Sequence, residues 1–136
     1  MLVERVPSLG ECRGLLKRLK VDGNVVRHSE VVLRVAERIC RGLRRKEVAV
    51  DWPLVAAACL LHDVCKLDSS LEPREGHEVA GGKLLRELGF PAVARLVERH
   101  VLDSGGGLES VEEEVLFYAD KRVEWDKVVS LRERLA

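Results

Sequence analysis

The stretch LVAAACLLHDVCK, residues 54–66, decides the fold. Its first eight residues are all apolar, and a helix that is apolar all round is buried on every side. Asp51 stands where an N-cap is expected and Pro53 lies in the first turn, so the helix begins there. The sequence therefore predicts a central buried helix that leads directly into His62 and Asp63.

The rest of the chain carries apolar residues at spacings of three and four, with almost no alternating strand-like runs. This period is typical of amphipathic helices. It predicts an all-α fold, a single-domain bundle of about six to seven helices over residues 1–136. The core is expected at about 22–123 and a C-terminal helix at 124–136. That last helix packs on the bundle or, alternatively, against a second copy in a homodimer.

Local signals predict where other helices begin and end. Gly89 is placed to close one helix in a left-handed conformation. Ser110 and Glu113 form a capping box at the start of another. The glycine-rich DSGGG, residues 103–107, is expected to be a loop. Besides the helix after Asp51, helices are expected at about 9–20, 25–46, 77–88, 91–101 and 110–122.

Charge and hydropathy limit the classes of partner. Lysine plus arginine number 23 and aspartate plus glutamate 23, so the formal charge is zero and no extended nucleic-acid surface is expected. A basic cluster at Arg41, Arg44, Arg45 and Lys46 suits the C-terminal end of a helix dipole, an interpretation preferred over a nucleic-acid patch. No apolar run reaches the roughly 18 residues of a membrane span.

The four cysteines, Cys12, Cys40, Cys59 and Cys65, show no CxxC spacing. They lie in helix-like apolar patterns and follow no signal peptide, which favours reduced, buried thiols. The expected location is the cytoplasm.

Histidine supplies the first functional signal. Each of the four histidines, His28, His62, His77 and His100, lies on or beside an apolar stripe. One such histidine alone is more often a core residue bonded to a carbonyl. Asp63 changes that interpretation, because a carboxylate at the end of a buried helix is costly unless a cation or several donors hold it.

A metal ion would remove that cost for the aspartate and the imidazoles together. A shell of histidine and aspartate without thiolate favours one or two ions of Mn, Fe, Co, Ni or Zn. Calcium is disfavoured because it prefers oxygen ligands. Asp120 is a further candidate ligand, although a salt bridge with Arg122 or Lys127 is the alternative.

Lys66 is the candidate for a catalytic cation. It follows His62 by four positions and Asp63 by three, so a continuous helix would place all three on one face. An ammonium there could hold a phosphate oxygen and offset charge in the transition state. The alternative is a surface lysine at a helix C-terminus.

Together these residues resemble the HD superfamily of metal-dependent phosphohydrolases. The resemblance lies in VVRHSEVVLRVA with His28, LLHDVCK with His62 and Asp63, and YADKRV with Asp120. It implies an all-helical bundle in which these four residues hold a metal.

A finer resemblance concerns the HDxxK form followed by HxxxGxxLL at residues 77–85. It is similar to the branch that includes bacterial enzymes splitting diadenosine tetraphosphate symmetrically. That likeness implies a second ion held by His77 and His100, with Asp63 bridging the two ions.

The leading hypothesis is hydrolysis of a phosphoester or phosphoanhydride in a nucleotide-like small molecule. Lys66 would neutralise charge, Arg27 and Lys121 are further candidates for phosphate contacts, and the leaving-group acid is left open among Glu72, Glu75 and Glu78. Two alternatives stay open: a di-iron oxygenase of the same superfamily, and a catalytically silent nucleotide-binding module.

Overall fold

The computed structural model describes residues 5–66, 75–101 and 107–135, with side chains up to residue 133. Within them the chain is helical apart from one short hairpin, which confirms the all-α prediction. The elements are α1 Leu9–Arg18, α2 Gly23–Arg45, α3 Trp52–Leu61, α4 His77–Glu87, α5 Pro91–Glu98, α6 Val111–Lys121, β1 Val123–Glu124, β2 Lys127–Val128 and α7 Leu131–Leu135.

Helix α3 is the centre of the bundle, as its composition predicts. Every residue from Val55 to Leu61 is buried, and α1, α2, α5 and α6 all pack against it. The side chain of Asp51 accepts the backbone N–H of Leu54 at 3.2 Å, which confirms the predicted N-cap. The C-terminal end of the helix therefore lies in the middle of the fold.

The end of α3 differs from the sequence-based expectation. The helix stops at Leu61, and residues 62–65 form a turn in which Lys66 N–H bonds the Asp63 carbonyl at 2.9 Å. Lys66 thus leaves from a turn and does not continue the helical face. The turn leads towards residues 67–74, which lie outside the described part of the chain.

Helices α4 and α5 approach closely because glycine lies between them. A Cβ on Gly81 would stand 3.2 Å from Cγ1 of Val97, tighter than an ordinary contact. Gly89 between the helices has φ +89, the left-handed conformation expected there. This packing sets His77, the first residue of α4, beside His100, which follows α5.

The C-terminal segment corrects the prediction of a helix over 124–136. Val123 pairs with Val128 and Glu124 with Lys127 in an antiparallel hairpin, and a helix forms only at α7. β-Branched valines and an oppositely charged cross-strand pair favour this pairing. Arg122 stabilises the hairpin, because its Nε donates a hydrogen bond to the Val129 carbonyl at 2.6 Å.

The other predictions concerned the cysteines, the cap of α6, the glycine-rich loop and membrane spans. Cys12, Cys40 and Cys59 are buried and Cys65 is half-buried, and all four are free thiols. Ser110 caps α6, but the Glu113 carboxylate bonds its hydroxyl and Arg99 instead of closing the capping box. Most of the predicted DSGGG loop lies outside the described residues. Among the described helices, none is both long and apolar enough to cross a membrane.

Candidate metal centre

Three helices bring the four predicted ligands of the first ion together. His28 projects from α2, His62 and Asp63 follow α3, and Asp120 lies near the end of α6. The Nε2 atom of His28 is 3.0 Å from Oδ1 of Asp120, and Nε2 of His62 is 3.3 Å from the same oxygen. Residues almost a hundred positions apart thus meet at the end of the central helix.

Asp63 lies between two histidine pairs. Its Oδ2 is 3.3 Å from Nε2 of His62 and 3.7 Å from Nε2 of His28. Its Oδ1 is 3.1 Å from Nε2 of His77 and 3.6 Å from Nε2 of His100. Each carboxylate oxygen therefore faces its own pair of imidazoles.

The ring centroids are 5.3 Å apart both in the pair His28 and His62 and in the pair His77 and His100. Nε2 of His77 lies 3.3 Å from Nε2 of His100. The potential ligand atoms of His28, His62 and Asp63 lie within 4.8 Å of one another, and so do those of Asp63, His77 and His100. The two groups share Asp63, so the cluster has room for ligand sets on both sides of one carboxylate.

Backbone carbonyls orient three of the rings. Nδ1 of His62 donates to the Cys59 carbonyl at 2.7 Å, Nδ1 of His100 to Val97 at 2.5 Å, and Nδ1 of His28 to Trp125 at 2.5 Å. A carbonyl oxygen only accepts, so each Nδ1 carries the proton. In the neutral ring, Nε2 then presents its lone pair to the cluster, as metal-binding histidines require.

The environment of His62 fits a cation. Its Nε2 is fully buried and forms no hydrogen bond, although carboxylate oxygens of Asp63 and Asp120 lie at 3.3 Å. Buried polar atoms are nearly always satisfied, so this atom calls for a partner. A divalent ion accepts imidazole nitrogen and carboxylate oxygen together. The donor set thus fits the metal that the sequence predicts.

The shifted pKa values in the cluster also favour a bound cation. Burial disfavours the charged form of His62, yet Asp63 and Asp120 together raise the pKa of His62 well above its usual value. Burial likewise opposes ionisation of the carboxyls, but the neighbouring histidines hold the pKa of Asp63 well below its usual range. The hydrogen bond with His28 and the nearby ring of His62 lower the pKa of Asp120, against the effect of its burial. Without metal, protons on histidine balance the two carboxylates.

Metal affinity should consequently rise with pH. An incoming ion must displace the proton that the raised pKa keeps on His62, so acid competes with the metal and the competition weakens as pH increases. Calorimetric titration of the metal-free protein with Mn²⁺ or Zn²⁺ at pH 6 and pH 8, in buffers of different ionisation enthalpy, should show tighter binding at pH 8 and proton release. An affinity independent of pH would contradict this assignment.

A cavity of about 430 Å³ opens over the cluster. This volume falls in the range of small-molecule sites. Lys66 and Lys121 both line it, as expected, whereas Arg27 is not among its lining residues and bonds Asn24 on the neighbouring turn of α2. Lys121 also lies over the ring of Phe117, with its Nζ 5.1 Å from the centroid.

The three candidate acids for the leaving group are placed differently. Glu75 pairs with Lys83 at 2.6 Å. Glu78 Oε2 lies 3.7 Å from Nδ1 of His77. Glu72 falls outside the described residues. Neither described glutamate is part of the cavity wall, so the geometry assigns no acid to that role.

Sequence reasoning did not assign six residues to the wall: Asn24, Val25, Val101, Val123, Glu124 and Trp125. The last two belong to the hairpin that was expected to be a helix. One signal was available, since Val123 and Val128 flank a short polar segment as strand residues do.

The chain matches a known protein family. Residues 25–124 match the family model described as HD domain, and this span contains every member of the cluster. The chain belongs to the HD domain family. HD domains bind divalent metals, which agrees with the His/Asp groups described above.

Two relatives of this HD domain are similar over most of the chain. The tRNA (cytidine(56)-2'-O)-methyltransferase of Picrophilus torridus is 28% identical over 97% of the chain, which spans only 41% of that protein's length. An uncharacterized protein of Methanocaldococcus jannaschii is 31% identical over 88% of the chain and is covered over 81% of its own length. The comparison with solved structures found no match to this chain.

Proposed function

We propose that this HD domain is a metal-dependent phosphohydrolase that cleaves a phosphoester or phosphoanhydride bond in a nucleotide-like small molecule. His28, His62, Asp63 and Asp120 would hold one divalent ion. His77 and His100, with the shared Asp63, would hold a second. The diadenosine polyphosphates that the sequence resemblance implies are the first substrates to test.

The position of Asp63 carries this proposal. Its two oxygens face different pairs of imidazoles at 3.1 to 3.7 Å, an arrangement that a single hydrogen-bonded core aspartate does not need. A carboxylate shared in this way suits two ions, one on each side of it. Bound divalent ions lower the pKa of water towards neutrality and polarise phosphoryl oxygens.

Two lysines suit the remaining tasks, which are to bind phosphate and to offset negative charge. Lys66 leaves the turn after Asp63 and lines the cavity, where its ammonium would bind a phosphate oxygen and offset negative charge as it develops. Lys121 lines the same cavity, with Nζ 3.9 Å from Oδ2 of Asp120, and would both balance that carboxylate and contact phosphate.

Charge distribution favours a second candidate substrate, a phosphate ester carried by RNA. Residues 5–46 hold twelve lysines and arginines against four acids. Five exposed arginines follow one face of α2, namely Arg27, Arg34, Arg38, Arg41 and Arg45. This local surplus of basic residues supports testing RNA, although zero net charge predicts no extended nucleic-acid surface. The Picrophilus torridus relative is named for a tRNA-modifying activity, which supports including RNA among the substrates tested.

The test is hydrolysis of three substrates, each with Mn²⁺, Fe²⁺, Co²⁺, Ni²⁺ or Zn²⁺. Phosphate release is measured for a nucleoside monophosphate and a 5'-phosphorylated RNA oligonucleotide, and formation of ADP is measured for diadenosine tetraphosphate. Lys66→Gln should lower kcat/KM by about 10- to 100-fold with unchanged metal content, the effect of losing one charge-assisted hydrogen bond. Lys83→Gln is the matched control, because Lys83 is exposed on α4 and pairs with Glu75 away from the cavity.

Other outcomes would overturn the proposal in distinct ways. Oxygen consumption by iron-loaded protein without hydrolysis of any of these substrates would indicate an oxygenase. Tight nucleotide binding without turnover under every metal would indicate a silent binding module. Equal loss of activity in Lys66→Gln and Lys83→Gln would remove Lys66 from the mechanism.

A further inference from the structure

Trp125 is held in a backbone conformation that tryptophan rarely adopts. It is the first residue of the two-residue turn between β1 and β2, and its φ is +60. Glycine is the usual residue where a hairpin turn needs positive φ, because a Cβ is strained there. A bulky residue at such a position is an outlier, and such outliers concentrate at functional sites.

The indole is also exposed where a core role would bury it. Its relative exposure is 61%, the highest among the large hydrophobic residues of the described chain. At the same time Trp125 belongs to the wall of the cavity that contains Asp63 and Lys66. An aromatic ring that is both exposed and part of a cavity wall is available to a ligand.

A hydrogen bond joins the hairpin backbone to the cluster of histidines and aspartates. The Trp125 carbonyl accepts the Nδ1 proton of His28 at 2.5 Å, so the turn cannot shift without disturbing that ring. The valines Val25, Val101 and Val123 line the same cavity and add apolar surface to a wall that otherwise holds imidazoles, carboxylates and lysines. The cavity thus offers both a phosphate-binding environment and an apolar, aromatic one.

We propose that Trp125 is a stacking platform for the nucleobase of the substrate, and that it makes the site selective for nucleotides over other phosphate esters. The proposal deepens the proposed function and rests on it for the phosphate part of the ligand. Base stacking on an aromatic residue tolerates every base, so the platform selects nucleotides as a class.

Two substitutions separate the ring from the backbone. Trp125→Gly removes the indole, keeps the carbonyl that His28 uses and suits the positive φ, so the fold and the metal content should be unchanged. Trp125→Phe keeps a smaller aromatic face. The wild-type chain has two tryptophans, and the Trp52→Phe background leaves Trp125 as the only indole emitter.

The experiment titrates metal-loaded protein with the four nucleoside 5'-monophosphates and with ribose 5-phosphate. In Trp52→Phe, the nucleotides should quench Trp125 emission and ribose 5-phosphate should not. By calorimetry on the otherwise wild-type protein, Trp125→Gly should weaken nucleotide binding by about 10- to 100-fold, the range for one stacked base, and leave ribose 5-phosphate binding unchanged. Trp125→Phe should lie between.

Binding that is no tighter for any nucleotide than for ribose 5-phosphate would overturn the proposal, and so would equal nucleotide affinity in Trp125→Gly and wild type. Hydrolysis gives an independent measure. If a nucleotide substrate is found, Trp125→Gly should raise KM and leave kcat within about threefold. A protein that hydrolyses nucleotides with an unchanged KM in Trp125→Gly would refute the stacking role while leaving the proposed function in place.

Discussion

Asp63→Asn is expected to remove bound metal and to lower hydrolysis by at least about 1,000-fold. Asparagine keeps the shape of the side chain but loses the negative charge that faces four imidazoles. Metal catalysis contributes several kcal/mol, and each 1.36 kcal/mol corresponds to a factor of ten in rate. Elemental analysis of protein purified without chelator, together with the rate of substrate hydrolysis, measures both effects.

Asp51→Asn is the matched control for that substitution. Asp51 caps the other end of the same helix, outside the cavity, and asparagine is an equally good N-cap. This variant should keep full metal content and activity. If Asp63→Asn kept the metal content and rate of wild type, the assignment of the shared carboxylate would be wrong.

The combined substitution His77→Ala with His100→Ala is expected to reduce the metal content from two ions per chain to one. The remaining ion would be held by His28, His62, Asp63 and Asp120, which the change does not touch. Loss of the second ion should lower hydrolysis by at least about 100-fold, because its share of the charge stabilisation is lost.

Folding must be monitored in this variant, since His100 is almost fully buried and its ring bonds the Val97 carbonyl. His77→Ala alone is the milder comparison, because its side chain is at the cavity wall. Glu78→Gln changes the neighbour of His77 without removing a ligand and should keep both ions. A metal content that is the same in the double variant and wild type would leave His77 and His100 as core or substrate-binding residues.

Much of the fold and the cluster follows from short-range patterns in the sequence. An unbroken apolar run predicts α3 because nothing but a central position can bury every face of a helix. Asp63 at its end predicts a cation because an isolated carboxylate is too costly there. His28, His77 and His100 could be added because each sits on an apolar helical stripe.

Other features depend on contacts that no local pattern encodes. Asp120 alone is better explained as a salt-bridge partner of Arg122 or Lys127, and only the pattern as a whole made it a candidate ligand. Its contact with His28 forms when α6 packs beside α2. The hairpin at 123–128 was predicted as a helix because Trp125 and Val128 have helix-like spacing. The positive φ of Trp125 and the bond from His28, 97 residues earlier, decide the structure instead.

The three carbonyl anchors of the histidine rings differ in how far apart their partners lie in the chain. His62 and His100 each bond a carbonyl three residues back, whereas His28 depends on Trp125, almost the whole chain away. Contacts between sequence neighbours form early in folding and distant ones late, because closing a long loop costs entropy. We therefore expect refolding to orient His62 and His100 before His28, so that the ion assigned to His28 is bound only after the hairpin docks on α2.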